Sequence, residues 1–198
     1  MNYFDDVNIR VLMRRFLYPG FSVGEHPFAI PVTQSIEFIR SGQIFLNRPG
    51  KTILLTAPVL FWIRQGEAFQ FSVPEKQHTP CEHLYCDCLG TKAERMQTWL
   101  NEVCPEGFLR PADPEKVTEI FIDAVNYYRM DREFYHAEIA ECIDRIMAAE
   151  LLVMTDMRIK EIVYNCKFDS MMDFSRTFKR YSGMSPRDYR RKHGNGQF

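Results

Sequence analysis

The hydrophobic spacing of this chain changes period at Gly90, and that change limits what the chain can fold into. Before it, "SIEFIRSGQIFLNRPGKTILLTAPVLFWIRQGEAFQFSVP" sets short runs of Ile, Phe, Leu and Val between Ser41-Gly42, Pro49-Gly50, Pro58 and Gly66. Such runs between turn residues predict several antiparallel strands in a small barrel or sandwich. "EHLYCDCLG" adds a strand with Leu84, Cys86 and Cys88 on one face and His83, Tyr85 and Asp87 on the other, because side chains alternate along a strand. After Gly90 the spacing is helical. Ala93, Met96, Leu100 and Val103 predict a helix over 91–103, and Val117, Ile120, Phe121, Ala124, Val125 and Tyr128 one over 114–129. A third helix is expected from Asp131 to about Met154, with Phe134, Ile139, Cys142, Ile143, Ile146 and Leu151 on its apolar side. Strands followed by helices make an α+β chain.

At 198 residues the chain suits one good-sized domain or two small ones, since domains commonly hold about 100–150 residues. With 45% hydrophobic and 14% aromatic residues it can build a packed core. No apolar run approaches the ~18 residues of a membrane span, so no membrane partner is expected. The opening "MNYFDDVNIRVLMRR" lacks the order of a signal peptide, which predicts a cytoplasmic protein. Six scattered cysteines in a chain of this length are expected to be reduced thiols.

The net charge is only −1, but it is unevenly spread. Residues 155–193 carry ten Lys or Arg against five Asp or Glu, and the remainder fifteen against twenty-one. A basic segment on an acidic body is the balance of a phosphate-contacting module joined to something else. A solvated helical face would show the same balance.

That segment reads "IKEIVYNCKFDSMMDFSRTFKRYSGMSPRDYRRK", Ile159 to Lys192. A short helix from Ile159 to Asn165 leads through Cys166-Lys167-Phe168 to a second helix starting near Asp169 or Ser170, where Ser170 and Asp173 form an S-x-x-D cap. Phe174 and Phe178 then fall inward, while Met172, Ser175, Arg176 and Lys179 project outward. Ser185-Pro186 with Asp188 starts a further helix carrying Arg187, Arg190, Arg191 and Lys192. Two helices joined by a short turn, the second presenting cations, describe a helix-turn-helix. A purely structural helical hairpin is the alternative.

On the block "FSRTFKRYSGMSP", with Ile159, Glu161, Ile162, Phe168, Tyr189 and Arg190, the stretch resembles the second helix-turn-helix of the arabinose-regulator (AraC/XylS) family of transcription factors. "AAELLVMTD" before it is similar to the end of the family's linker helix. The N-terminal half more loosely resembles the family's cupin-like sensor barrel, and "EHLYCDCLGTKAERMQTWL" sits where members leave the barrel. The resemblance implies a ligand-responsive, homodimeric regulator that binds duplex DNA. It places Met171, Met172, Ser175 and Arg176 at base edges, and Lys179, Arg180, Arg187, Arg190 and Arg191 on phosphates. Its effector would be a small molecule such as a sugar or related metabolite. The chain departs from the family in three ways. Between Arg129 and "AAELL" there is room for one helix only, so the first helix-turn-helix is missing. Lys167 stands where the turn usually has glycine, and Met171 and Met172 replace polar base readers.

Competing chemistry is thin. "HTPCEHLYCDC" packs His78, Cys81, His83, Cys86 and Cys88 into eleven residues, a set of soft ligands that invites zinc. Alternation opposes it, because Cys86 and Cys88 share a face that His83 does not; buried apolar cysteines are the alternative. No His-x-His with a nearby carboxylate marks a cupin enzyme, so neither catalysis nor a cofactor is expected. Phe38, Phe45, Phe61, Trp62, Phe69 and Phe71 are candidates to line the barrel. As effector contacts the expectation is His26, Phe38, Arg40, Phe61, Arg64 and Phe69, against a filled hydrophobic core.

The division expected is a cupin-like sensor and dimerisation domain over 1–130, then a linker helix and a shortened reader over 131–198. Two other functions stay open. One is a ligand-binding dimerisation protein with a degenerate DNA-binding module, and the other is a cupin-type enzyme acting on a small molecule.

Overall fold

In the computed structural model, residues 7–23, 29–130, 135–166 and 168–194 are described, the side chains of 135–137 excepted. The strands are β1 (Asn8–Leu17), β2 (Ser22–Val23), β3 (Gln34–Ser41), β4 (Gln43–Arg48), β5 (Lys51–Thr56), β6 (Val59–Ile63), β7 (Gln70–Ser72), β8 (Cys81–Leu89) and β9 (Phe108–Leu109). The helices are α1 (Thr91–Val103), α2 (Pro114–Arg129), α3 (Tyr135–Met154), α4 (Ile159–Asn165), α5 (Met171–Ser182) and α6 (Pro186–His193). The chain is therefore α+β, with antiparallel strands first and helices after. Among the described residues no helix is long and apolar enough to cross a membrane.

The strands form two antiparallel sheets, one ordered β1-β8-β3-β6-β9 and the other β2-β7-β4-β5. Alternation gives the larger sheet two different faces. Leu12, Ile36, Phe38, Leu60, Trp62, Leu84, Cys86 and Cys88 turn toward the helices and join one apolar cluster with α1, α2 and α3. Leu17, Ile39, Phe61, Ile63 and Cys81 turn the other way and meet Ile44, Leu46 and Phe71 of the smaller sheet. Two of the expected barrel-lining residues therefore lie on the wrong side. Phe38 stacks on Phe121 of α2 at 5.9 Å, and Trp62 donates its indole N–H to Asn101 of α1 at 3.2 Å. Phe45, between the inward Ile44 and Leu46, is only partly buried.

β1 is the longest strand and was not expected. It pairs along its length with β8, with a register shift between Ile9 and Val11. β1 alternates poorly, with Arg14 and Arg15 adjacent and Met13 and Phe16 about half exposed.

The helical cluster continues without a break from Ile9 through α2 and α3 to Phe174, Phe178 and Tyr189. Glu150 of α3 lies within it, 3% exposed, accepting the backbone N–H of Ala112 at 3.3 and 3.4 Å. Burial pushes its carboxyl up to about 8, against the pull of that N–H.

Candidate functional site

Each helix of the C-terminal segment is fixed by local chemistry. The Glu161 carboxylate accepts the N–H of Arg158 at 2.8 Å and so closes the start of α4. Ser170 caps α5 by accepting the N–H of Asp173 at 3.0 Å, and Gly183 ends it at φ 74°, a left-handed angle that favours glycine. Ser185 caps α6 by accepting from Asp188 N–H at 3.1 Å, with Pro186 at its first turn. Between the helices runs an aromatic core: Phe168 to Phe174 at 4.9 Å, Phe174 to Phe178 at 5.5 Å, and Phe178 to Tyr189 at 5.2 Å. Phe174 and Phe178 are 0% and 2% exposed, which sets the phase of α5. The expected turn residue Lys167 lies outside the described residues.

That phase presents Met171, Met172 and Arg176 to solvent and leaves Ser175 partly buried. Arg176 pairs with Asp173 at 2.7 Å and Arg191 with Asp188 at 2.8 Å, each along its own helix. Exposed pairs of this kind are weak, so either guanidinium can turn to a phosphate at little cost. Arg180 reaches Glu141 of α3 at 3.9 Å, while Lys179 and Arg187 are exposed and make no ion pair among the described residues. Arg190 does otherwise. Its Nε donates to the Leu152 carbonyl at 2.9 Å and its Nη2 to the Met157 carbonyl at 2.6 Å. The expectation that Arg190 neutralises phosphate is thus corrected: its guanidinium ties α6 to the end of α3, whose last carbonyls lack helical partners.

The barrel interior holds a second group of polar residues. His83 Nε2 lies 2.5 Å from Glu37 Oε2, and Ser35 donates to Glu37 Oε1 at 2.5 Å. The His83 ring stacks on Tyr85 at 5.1 Å and meets Phe71 edge-on at 5.5 Å. Arg15 lies over the other ring, 4.5 Å from the Tyr85 centroid. Asp87 joins them from β8, its carboxyl pushed up to about 7 by burial and by Glu37, with Arg15 opposing. Register explains the grouping. Ser35 pairs Asp87, Glu37 pairs Tyr85, and Arg15 pairs His83, and directly paired residues share a face.

Of the expected effector contacts, Phe61 and Phe69 belong to this inner cluster. Phe38 faces the helices instead. Arg40 shares the Glu82 carboxylate with Arg14, at 2.9 and 2.7 Å, on the outer face of the sheet. Arg64 lies beside Glu67 at 3.5 Å, after the end of β6. These three are corrected as interior contacts: each follows an inward-facing residue by one, and one step along a strand reverses the face. His26 lies outside the described residues. Sequence reasoning grouped His83, Tyr85 and Asp87 but missed Arg15, Ser35 and Glu37. The alternation of "SIEFIR" did put Ser35 and Glu37 on one face; it could not say that this face is enclosed.

The cysteine and histidine run is divided by the sheet. Cys86 and Cys88 lie in the helix-facing cluster and His83 in the interior. Among the described residues no group of three or more His, Cys, Asp or Glu is placed to hold a metal ion.

A two-sheet antiparallel domain followed by capped helices, with cations turned outward on the last two, is the construction of a sensor joined to a nucleic-acid reader. Residues 128–192 match the family model described as a helix-turn-helix domain, and this C-terminal third is a helix-turn-helix domain of the arabinose-regulator (AraC/XylS) type. No curated protein matches the chain. Apo ToxT from Vibrio cholerae is 12% identical over 92% of this chain and 97% of its own, with a TM-score of 0.43. A predicted oxalate decarboxylase from Thermotoga maritima is 26% identical over 41% of this chain and 67% of its own, TM-score 0.35. A protein with a cupin-like fold from Ralstonia eutropha is 17% identical over 44% of this chain, which spans 52% of that one, TM-score 0.34. At such TM-scores none of the three decides what this chain does.

Proposed function

We propose that the chain is a ligand-responsive transcription regulator that docks α5 on duplex DNA. The carrying observation is the phase of α5: Phe174 and Phe178 are fully buried, which turns Met171, Met172 and Arg176 outward at the end where a recognition helix meets base edges. Ser175 stands beside them, and Lys179, Arg180, Arg187 and Arg191 supply phosphate contacts. Functionally the chain divides near Met130, with sensing and dimerisation before it and linker helix and reader after. A DNA partner implies a cytoplasmic setting. The effector, a small polar molecule such as a sugar, is read in the barrel by Glu37, His83, Tyr85 and Asp87 between Phe61 and Phe69.

Methionine offers no bidentate hydrogen bond to a base edge, so most of the affinity is electrostatic. Fluorescence anisotropy with labelled duplex DNA at two salt concentrations tests this. Weak binding that drops steeply with salt is expected. No binding at low salt removes the reading and leaves the second one, a dimerising ligand-binding protein with a degenerate module; the two methionines favour that alternative. The enzyme reading fares worse. The Glu37 carboxylate sits between Ser35 and His83, so no hydroxyl rests on an imidazole that could activate it.

A further inference from the structure

A groove of about 260 Å³ opens outside the barrel, between β1 and α2, lined by Arg14, Phe16, Ile122, Val125, Asn126 and Arg129. The four α2 residues recur at helical spacing and so share one face. Its floor is apolar: Phe16, a large side chain 52% exposed, lies opposite Ile122 and Val125. Its rim is cationic. Arg14 and Arg40 share the single carboxylate of Glu82, and Arg129 makes no ion pair among the described residues. The nearest carboxylate of α2, Asp123, lies close enough to Cys142 of α3 to raise its thiol, which places it toward α3. Positive charge therefore stands unmatched beside exposed apolar surface.

We propose that this groove binds a small amphiphilic carboxylate, its headgroup on Arg129 and Asn126 and its apolar body over Phe16, Ile122 and Val125. An arginine fork matches a carboxylate in geometry as well as charge. The volume falls below the ~300 Å³ at which drug-sized pockets begin, which suits a medium chain or a single ring. Arg14 is a rim charge only, since Glu82 holds its Nε and Nη2. The site is distinct from the barrel interior, and its occupancy can be measured whether or not the chain binds DNA.

The test is calorimetric titration of the full chain with octanoate, alongside 1-octanol and octylamine, which share the tail but not the charge. One saturable octanoate site is expected, with octanol at least tenfold weaker and octylamine silent. Arg129→Gln should weaken octanoate at least tenfold and leave octanol unchanged. Asn126→Trp, which fills the groove at an exposed position without altering a charge, should abolish binding. Lys160→Gln, on the far helix α4, should bind as the parent does. Equal binding of octanol and octanoate, binding at many sites, or octanoate affinity untouched in both groove variants would overturn the proposal.

Discussion

Glu37 and His83 lie inside the β-domain with 5% and 0% of their surface exposed, whereas the helix-turn-helix turns Arg176, Lys179, Arg180, Arg187 and Arg191 to solvent. One region takes charge in and the other pushes it out. Enclosed charge costs folding energy unless each group has a partner, so its presence marks a place selected for something besides stability. Outward charge costs almost nothing and serves any polyanion. The two regions are therefore read by different rules: geometry decides in the barrel, and phase decides on α5.

The largest expected effect lies on the side whose core is apolar. Phe174→Ala, at the centre of the aromatic chain, should lower unfolding stability by about 4 kcal/mol, read from denaturant curves. A loss under about 1 kcal/mol would mean that α5 does not rest on that residue. Next comes the enclosed charge. Glu37→Leu strands His83 and Ser35 and should cost about 3 kcal/mol, while Glu37→Leu with His83→Leu should recover most of it. Failure of the double variant to recover would show that the pair is not the unit described. Arg190 separates the two rules within one helix. Arg190→Met should cost about 2 kcal/mol through two lost charge-assisted hydrogen bonds, whereas Arg187→Ala, three residues away, should leave stability within about 0.5 kcal/mol and weaken DNA binding. If both variants behave alike, the distinction between inward and outward arginine fails.

The buried carboxyl of α3 gives a pH signature. A carboxyl whose folded value is raised holds its proton more tightly in the fold, so its contribution is present below the unfolded value. It is lost as pH rises from about 4.5 to about 8. Glu150→Gln should flatten that decline in stability curves measured at several pH values. An unchanged slope would assign the decline to Asp87, which titrates near 7.

Much of this was legible beforehand. The period change at Gly90 located the strand-to-helix switch, and the serine caps with their following acids fixed the starts of α5 and α6. β1 was not legible, because adjacent arginines and half-exposed Met13 and Phe16 spoil its alternation. The barrel contacts were half legible. Alternation states that Phe38 and Phe61 are buried, but a sheet covered on both sides buries both faces. Only pairing register reveals which of them looks into the barrel.

The apolar cluster that runs from Ile9 to Tyr189 has a practical consequence for anyone cutting the chain. Severing it near Met130 would strip α2 and α3 of each other and lay bare Ile120, Val125, Ile139 and Ile143 at the cut surface. Neither fragment would then keep its shape in water, and a protease reaching that segment would release no stable piece. Sensor and reader melt as one body, so a ligand that raises the melting temperature of the first raises that of the second.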